Sequence, residues 1–433
     1  MERSLWRHRD FDLLWAGQTV SRVGTEVSTL AVPLIAIQTL HATTFEVGLL
    51  TAIEFLPFLL VGLLAGALVD RARKRRVLLL ADAGRLVALG SIPFASAVAS
   101  ITLVHLYIAA FVTGILTVFF DVSYQSYLPE LVDIDQLVDG NAKLAATESA
   151  AHVVGPGLGG AIIGLVGAVT AVVADAVSYL VSFVCVMFIR APNERPARAA
   201  GERTSLIAEI REGLRFVWHE HRIRAVAFAT ATSNLFSGIS TAVILILMSR
   251  ELGFGGAEIG LVFAVGGVGA VIGAVLAPKL ARWLGVGHAI VWTLAIAGLG
   301  PALVAMSAGS IAPVLLAAGV AIEGGGGVAY NINQVSVRQA ICPPRLLGRM
   351  NASVRFLVWG TLPLGGFLGG VLGSVFGIRT TLWIAAAGGI LAFLWLLPSP
   401  VPGMREIPRP LAATEAQAAT EPILGAVVEA PTT

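Results

Sequence analysis

Residues 66–76 read Gly66-Ala-Leu-Val-Asp70-Arg71-Ala-Arg73-Lys74-Arg75-Arg76, with six charges in eleven positions, five of them basic. A long apolar run over 47–69 leads into this stretch, and another begins at Val77. At mid-depth in lipid each such charge costs roughly 2.5–3.5 kcal/mol, even by a lenient measure. The stretch can only be a tight hairpin between two spanning helices, on the side where positive charge is retained.

The rest of the chain agrees. Of its 433 residues 56% are hydrophobic, before the 48 glycines are counted, and 13% are charged. A soluble domain dresses its surface with about 25% charge, so most of this surface must face hydrocarbon. Apolar and polar residues do not alternate, which argues against a membrane β-barrel. Spanning helices need about 20 apolar residues. Twelve are expected, near 12–38, 44–69, 77–98, 103–126, 142–166, 169–190, 223–249, 257–278, 287–307, 311–336, 351–376 and 380–398. The first run is long and lacks a small-residue cleavage pattern, so it is expected to stay as an anchor.

The organisation that follows is a six-helix bundle over 1–190, a linker over 191–222, a second bundle over 223–398 and a disordered tail over 399–433. In the linker, apolar residues over 206–218 recur at helical spacing, so a helix lying on the membrane surface is expected there. With the N-terminus inside, residues 71–76, Lys143, Lys279, Arg282, Arg345 and Arg349 all fall on the cytoplasmic side. Arg250 and Arg379 alone remain outside, as the positive-inside rule requires. Both termini are then cytoplasmic. Cys185 and Cys342 fall at or near that reducing side, so no structural disulfide is expected.

The halves repeat. Asn141-Ala through Gly155-Pro156-Gly157-Leu158-Gly159-Gly160 to Gly167 aligns without gaps on Asn351-Ala through Gly365-Gly-Phe-Leu-Gly-Gly370 to Gly377, at an offset of 210. Val47-Gly48-Leu-Leu-Thr-Ala-Ile53 falls on Ile259-Gly260-Leu-Val-Phe-Ala-Val265, at an offset of 212. Segments five and eleven therefore correspond, as do two and eight. Parallel halves around a midplane site are a transporter design, and alternating access by rocking follows from it.

These residues resemble the major facilitator superfamily in the six-plus-six plan, the 66–76 loop and Gly155-Pro156-x-x-Gly159-Gly160. Ser21-Arg22-Val-Gly24, Phe119-Phe-Asp121-Val and Leu128-Pro-Glu-Leu131 resemble its drug/proton antiporter type, in the enterobactin-exporter-like branch. The resemblance implies an all-α membrane fold, a monomer in the plasma (inner) membrane, and a proton gradient in place of any cofactor. It also implies a cytoplasmic gate at the loop. Asp70 would meet the positive end of segment eleven, with Gly66, Arg71 and Arg75 beside it. A plain topology anchor is the alternative reading of the same loop.

Gly155-Pro156-Gly157-Leu158-Gly159-Gly160 also spells a dinucleotide fingerprint, but no strand precedes it and it lies within an apolar helix. Close helix packing through small residues and a proline bend explains it. The chain's three lysines, Lys74, Lys143 and Lys279, never follow a glycine, which disfavours a phosphate loop and ATP as energy source. No metal-ligand, nucleophile or nucleic-acid pattern rises above chance.

Ionisable residues within spans are the best functional pointers. Glu26, Glu54 and Glu323 fall nearest mid-depth. Glu54 has no base within a helical turn, so it is a candidate site for a proton or a cationic substrate; a water-lined structural carboxylate is the bland alternative. Glu26 follows Arg22 at i+4, which would pair them on one helix. Arg22, Asp82, Arg85, Asp121 and Glu148 read as one charge network of the first half, with proton relay as the minor alternative. Arg355 could serve an anionic substrate group. Tyr124, Phe236 and Trp359 could line a cavity, and His152 lies at i+4 from Glu148.

The function expected is secondary transport, not enzyme chemistry. It is proton-coupled efflux of small amphipathic or drug-like molecules, with a siderophore or lipid-like metabolite exporter, or a solute uptake carrier, as alternatives. The partners expected are the small substrate, protons and the bilayer, with no nucleic acid.

Overall fold

The computed structural model describes residues 8–69, 71–133, 136–190, 206–343 and 346–407. Helices α1 (Arg9–Leu34), α2 (Thr44–Val69), α3 (Lys74–Val98), α4 (Leu103–Leu131), α5 (Leu137–Val166) and α6 (Ala168–Met187) form the first half. After α7 (Leu206–His219) come α8 (His221–Ile246), α9 (Gly256–Leu284), α10 (Val286–Ala297), α11 (Gly300–Met306), α12 (Ala312–Ile341), α13 (Leu347–Trp359), α14 (Thr361–Phe376) and α15 (Ile378–Leu391). Among the described residues twelve helical stretches are long and apolar enough to cross a membrane. Helices suit this sequence because lipid offers no partners, so every backbone N–H and C=O must be satisfied within its own segment. Side chains such as Leu165, Leu80, Phe94 and Val375 stay exposed on the outer flanks, where they meet hydrocarbon.

Two spans are interrupted where the sequence reading drew them straight. One breaks between α10 and α11 ahead of Pro301, the other at Gly360 ahead of Pro363. Each proline lacks the N–H that would continue the ladder into the preceding turn. The turns after α5 and α14 fall at Gly167 and Gly377, with φ of +80° and +83°, a region that favours glycine. They stand at the repeat offset of 210.

Within the first half α1 packs on α5 and α6, while α3 packs on α4 and α6; within the second, α12 packs on α9 and α10, and α8 on α14 and α15. The halves meet chiefly through α5 against α9 and α2 against α14. Those two seams are the same contact repeated, because α2 corresponds to α9 and α5 to α14. Helix α7 covers the sequence's amphipathic stretch but is seated on protein. Gly213 lies against the Arg349 backbone, Glu212 pairs with Arg349, and Val217 is buried.

One boundary needs correction. Residues 399–407 are not part of a disordered tail: Val401 is fully buried, and Met404 and Arg405 carbonyls accept from Gly287 N and Val286 N at 2.8 and 3.2 Å. The rest of that tail, and residues 191–205 of the linker, lie outside the described residues.

Candidate functional site

The seam is sealed at one end. There Gly48 faces Gly370 and Gly160 faces Gly260, with backbones so close that a side chain on any of the four would collide with its partner. Small residues are what permit such approach. Beyond them α1 ends in a π turn, Ile35–Thr39, and α8 ends in another, Leu247–Glu251, again 212 positions apart. The two turns meet across the seam. Gln38 Nε2 donates to Ser249 Oγ at 3.1 Å, and the Arg250 guanidinium donates to the carbonyls of Ala42 and Ile37. One continuous apolar core runs through both halves at this end, from Leu30, Ile37 and Val47 to Val243, Met248 and Ile259.

At the opposite end, which holds the basic 71–76 loop, the buried core splits. One cluster around Phe11, Leu78 and Tyr127 belongs to the first half, and another around Ile223, Tyr330 and Met350 to the second. The basic-end half of α5 is largely exposed, including Glu148 and His152, whose side chains are 51% and 63% accessible. Lipid could not solvate these groups. They line a water-accessible cleft between the halves.

Between the two ends lies a cavity of about 370 Å³. Glu26 of α1, Glu54 of α2 and Glu323 of α12 all line it, with His152 of α5. Acids of both halves therefore converge on one space. Leu30, Phe55, Ile244, Phe263 and Val320 make its walls mainly apolar, and Thr29, Thr51, Ser240 and Thr241 add hydroxyls. Glu323 accepts from Ser237 Oγ at 3.1 Å, and Glu54 has no hydrogen bond or ion pair among the described residues. Glu26 is not paired with Arg22 on its own helix. It meets His152 Nδ1 at 2.7 Å across to α5, while Arg22 meets Asp121 at 2.9 Å and Glu148 at 3.8 Å.

Helix α5 can lie this close because of its glycines. Gly155 accommodates the Glu26 side chain, Gly159 the backbone of Val27, and Gly160 the second half, while Pro156 lines the cavity. So only part of the motif joins the halves; the rest joins α5 to α1.

A further cavity of about 380 Å³ opens at the basic end, lined by Phe58, Gly62, Gly66, Arg349, Arg355 and Trp359 among others. Arg355 sits here, its guanidinium 5.2 Å from the Trp359 ring, and not with the three glutamates. The Phe58 and Trp359 rings meet tilted at 41°, centroids 5.0 Å apart, across the seam, one helical turn from Glu54. Of the other aromatics, Tyr124 is buried against Phe120 and Phe236 fills the space beside Gly388, so both pack helices. Asp70 lies outside the described residues. Arg71 is exposed, and Arg75 donates to the carbonyls of Val186 and Met187, which cap α6 within its own half.

The charge network of the first half is two clusters. Arg22, Asp121 and Glu148 form one beside the cavity. The other is buried: Asp82 pairs with Arg85 and accepts from Ser182 Oγ at 2.7 Å, and Arg85 lies over the rings of Phe120 and Tyr179 at 4.1 and 4.3 Å. Asp175 of α6, 1% exposed, accepts from Ser178 Oγ at 3.0 Å. Sequence reasoning passed over Asp175, although it is the sole charge of its apolar run before Arg190.

Two parallel six-helix repeats around a mid-membrane cavity fed by acids of both define a carrier of the major facilitator type. The chain belongs to the transmembrane secretion effector family, whose model matches residues 4–428. It is a multi-span membrane transporter and not an enzyme. It is 24% identical to the multidrug efflux pump Tap of Mycolicibacterium fortuitum over 379 residues, covering 85% of this chain and 90% of Tap. It is 26% identical to the MFS-type transporter YfiS of Bacillus subtilis over 409 residues, covering 90% and 89% of the two chains. Its fold is similar to that of a bacterial homologue of the iron transporter ferroportin in an inward-facing state. There the TM-score is 0.72 at 16% identity, over 90% of this chain and 98% of that one.

Proposed function

We propose that this protein exports small amphipathic molecules across the plasma membrane in exchange for protons. It belongs on this reading to the drug/proton antiporter type, in the enterobactin-exporter-like branch, and works as a monomer. The observation that carries the proposal is the shared cavity, with Glu26 and Glu54 from one half and Glu323 from the other. Its volume of about 370 Å³ and largely apolar wall suit a small amphipathic guest. Its carboxyls suit proton loading, because a proton removes the cost of holding a bare charge in a low-dielectric site. Relatedness to Tap supports efflux of drug-like substrates.

The basic end lies in the cytoplasm with both termini, so the described state is open inward. Residues 1–190 and 223–398 rock about the cavity, joined by 191–222. Asp70, Arg71 and Arg75 close the cytoplasmic side against α13 and α14 when the outer seam parts, which makes a bistable switch of two packings. No cofactor is needed. A proton entering down about 150 mV releases roughly 3.4 kcal/mol. That sustains a gradient of about 300-fold for a neutral solute.

The test is dye extrusion from an efflux-deficient host expressing the protein, with and without an uncoupler. Extrusion that ends with the uncoupler is expected, and extrusion that survives it contradicts proton coupling. Glu54→Gln and Glu323→Gln are expected to abolish uphill extrusion in everted vesicles while downhill dye exchange continues.

A further inference from the structure

A third cavity, of about 1190 Å³, lies away from the seam on the flank of the second half, at the basic end. It is formed by the end of α9, the turn at Gly285, the start of α10, the end of α12 and residues 402–407. Its wall is held in place. Val286 N and Gly287 N donate to the carbonyls of Arg405 and Met404, and Gly287 lies so close to the Val401 carbonyl that no side chain would fit.

Arg282, Arg405 and His288 line this cavity against one acid, Glu406, and all four are exposed. Neither arginine makes an ion pair among the described residues. The rim is strongly apolar: Trp283 is 89% exposed, with Leu284 at 44%, Ile332 at 38% and Ile407 at 45%. A bare aqueous anion site would not carry such a rim. A tryptophan this exposed, next to arginines at the end of a spanning helix, belongs at headgroup level in a bilayer.

We propose that this cavity binds the headgroup of an anionic phospholipid of the adjoining leaflet. Arg282 and Arg405 take its phosphate, and the acyl chains lie along Leu284 and Ile332. Arginine's fork of donors matches a phosphodiester, and each base near a lipid surface contributes about 1 kcal/mol. The acidic character of residues 408–433, with Glu415, Glu421 and Glu429 against Arg409, offers a competing occupant that the test separates.

The experiment is native mass spectrometry of the full-length protein released from nanodiscs of phosphatidylcholine with phosphatidylglycerol. Wild type is expected to retain phosphatidylglycerol in preference to phosphatidylcholine. The variant Arg282→Gln/Arg405→Gln is expected to lose that preference by about thirtyfold, at about 1.4 kcal/mol per tenfold. Arg282→Lys/Arg405→Lys keeps the charge and is expected to retain most of the preference, which guards against a folding artefact. Equal retention by wild type and the Gln variant would overturn the site. So would wild type without preference, as tail occupancy requires. Displacement of the lipid by millimolar glycerol phosphate would equally overturn it, showing a site for free anions.

Discussion

The two ends of the seam between the halves are built from different materials. At the sealed end the halves touch backbone to backbone, through Gly48 with Gly370 and Gly160 with Gly260, and apposed π turns lock them with Arg250. At the basic end they touch through side chains, and Phe58 on Trp359 is the main aromatic bridge. Close-packed surfaces have few intermediate positions, so the sealed end should behave as a latch that is either shut or open. The basic end can adjust by rotamers. Both sealing contacts are one contact made twice, since the repeat offsets map Gly48 onto Gly260 and Gly160 onto Gly370.

Asp70→Asn should break the contrast most completely. With the inner closure lost, uphill transport is expected to vanish while protein in the membrane stays at wild-type level; a fully active variant would remove the gate. Gly48→Val comes next, because it forces a side chain between two backbones. Overpacking of this kind costs about 1–3 kcal/mol, so the balance between states should move about 5- to 150-fold toward the parted seam. Thiol labelling of a cysteine at Ala36, fully buried while the end is sealed, would report it, and unchanged labelling would count against a tight seal. Arg250→Ala removes charge-assisted bonds worth about 1.5–3 kcal/mol together with the charge that makes them. It should move the same labelling in the same direction, by an amount comparable to Gly48→Val, because the two costs overlap. Phe58→Ala should be mildest, raising access to Glu54 from the basic end by about tenfold or less, since an aromatic pair contributes about 0.5–1.5 kcal/mol.

Much of this arrangement is legible in the sequence, for reasons that can be named. Charges interrupting apolar runs declare themselves, so Glu26, Glu54 and Glu323 could be singled out before any cavity was seen. The repeat was readable because close glycine contacts leave no freedom at Gly48, Gly160, Gly260 and Gly370. Asp175 carried the same signal as Glu54 and was readable by the same rule. Pro301 and Pro363 mark breaks that a count of apolar residues alone smooths over. Other features had no local signature. Nothing in Ile35-Ala-Ile-Gln-Thr39 or Leu247-Met-Ser-Arg-Glu251 announces a π turn, which arises from how the two helix ends meet. Spacing along one helix favoured Arg22 for Glu26, but the partner proved to be His152, brought in by Gly155 of another helix. Contacts between helices far apart in the chain are set by packing, which periodicity does not encode.

The most direct measurement is a pair of spin-label distances across the seam in reconstituted protein. One pair, at His41 and Ser310, reads the sealed end, and the other, at Arg71 and Ser336, reads the basic end. Shifting pH or adding a transported dye should populate a second state, in which the first distance lengthens as the second shortens. If both distances move the same way, or no second population arises under any condition, the halves do not rock about the glutamate-lined cavity.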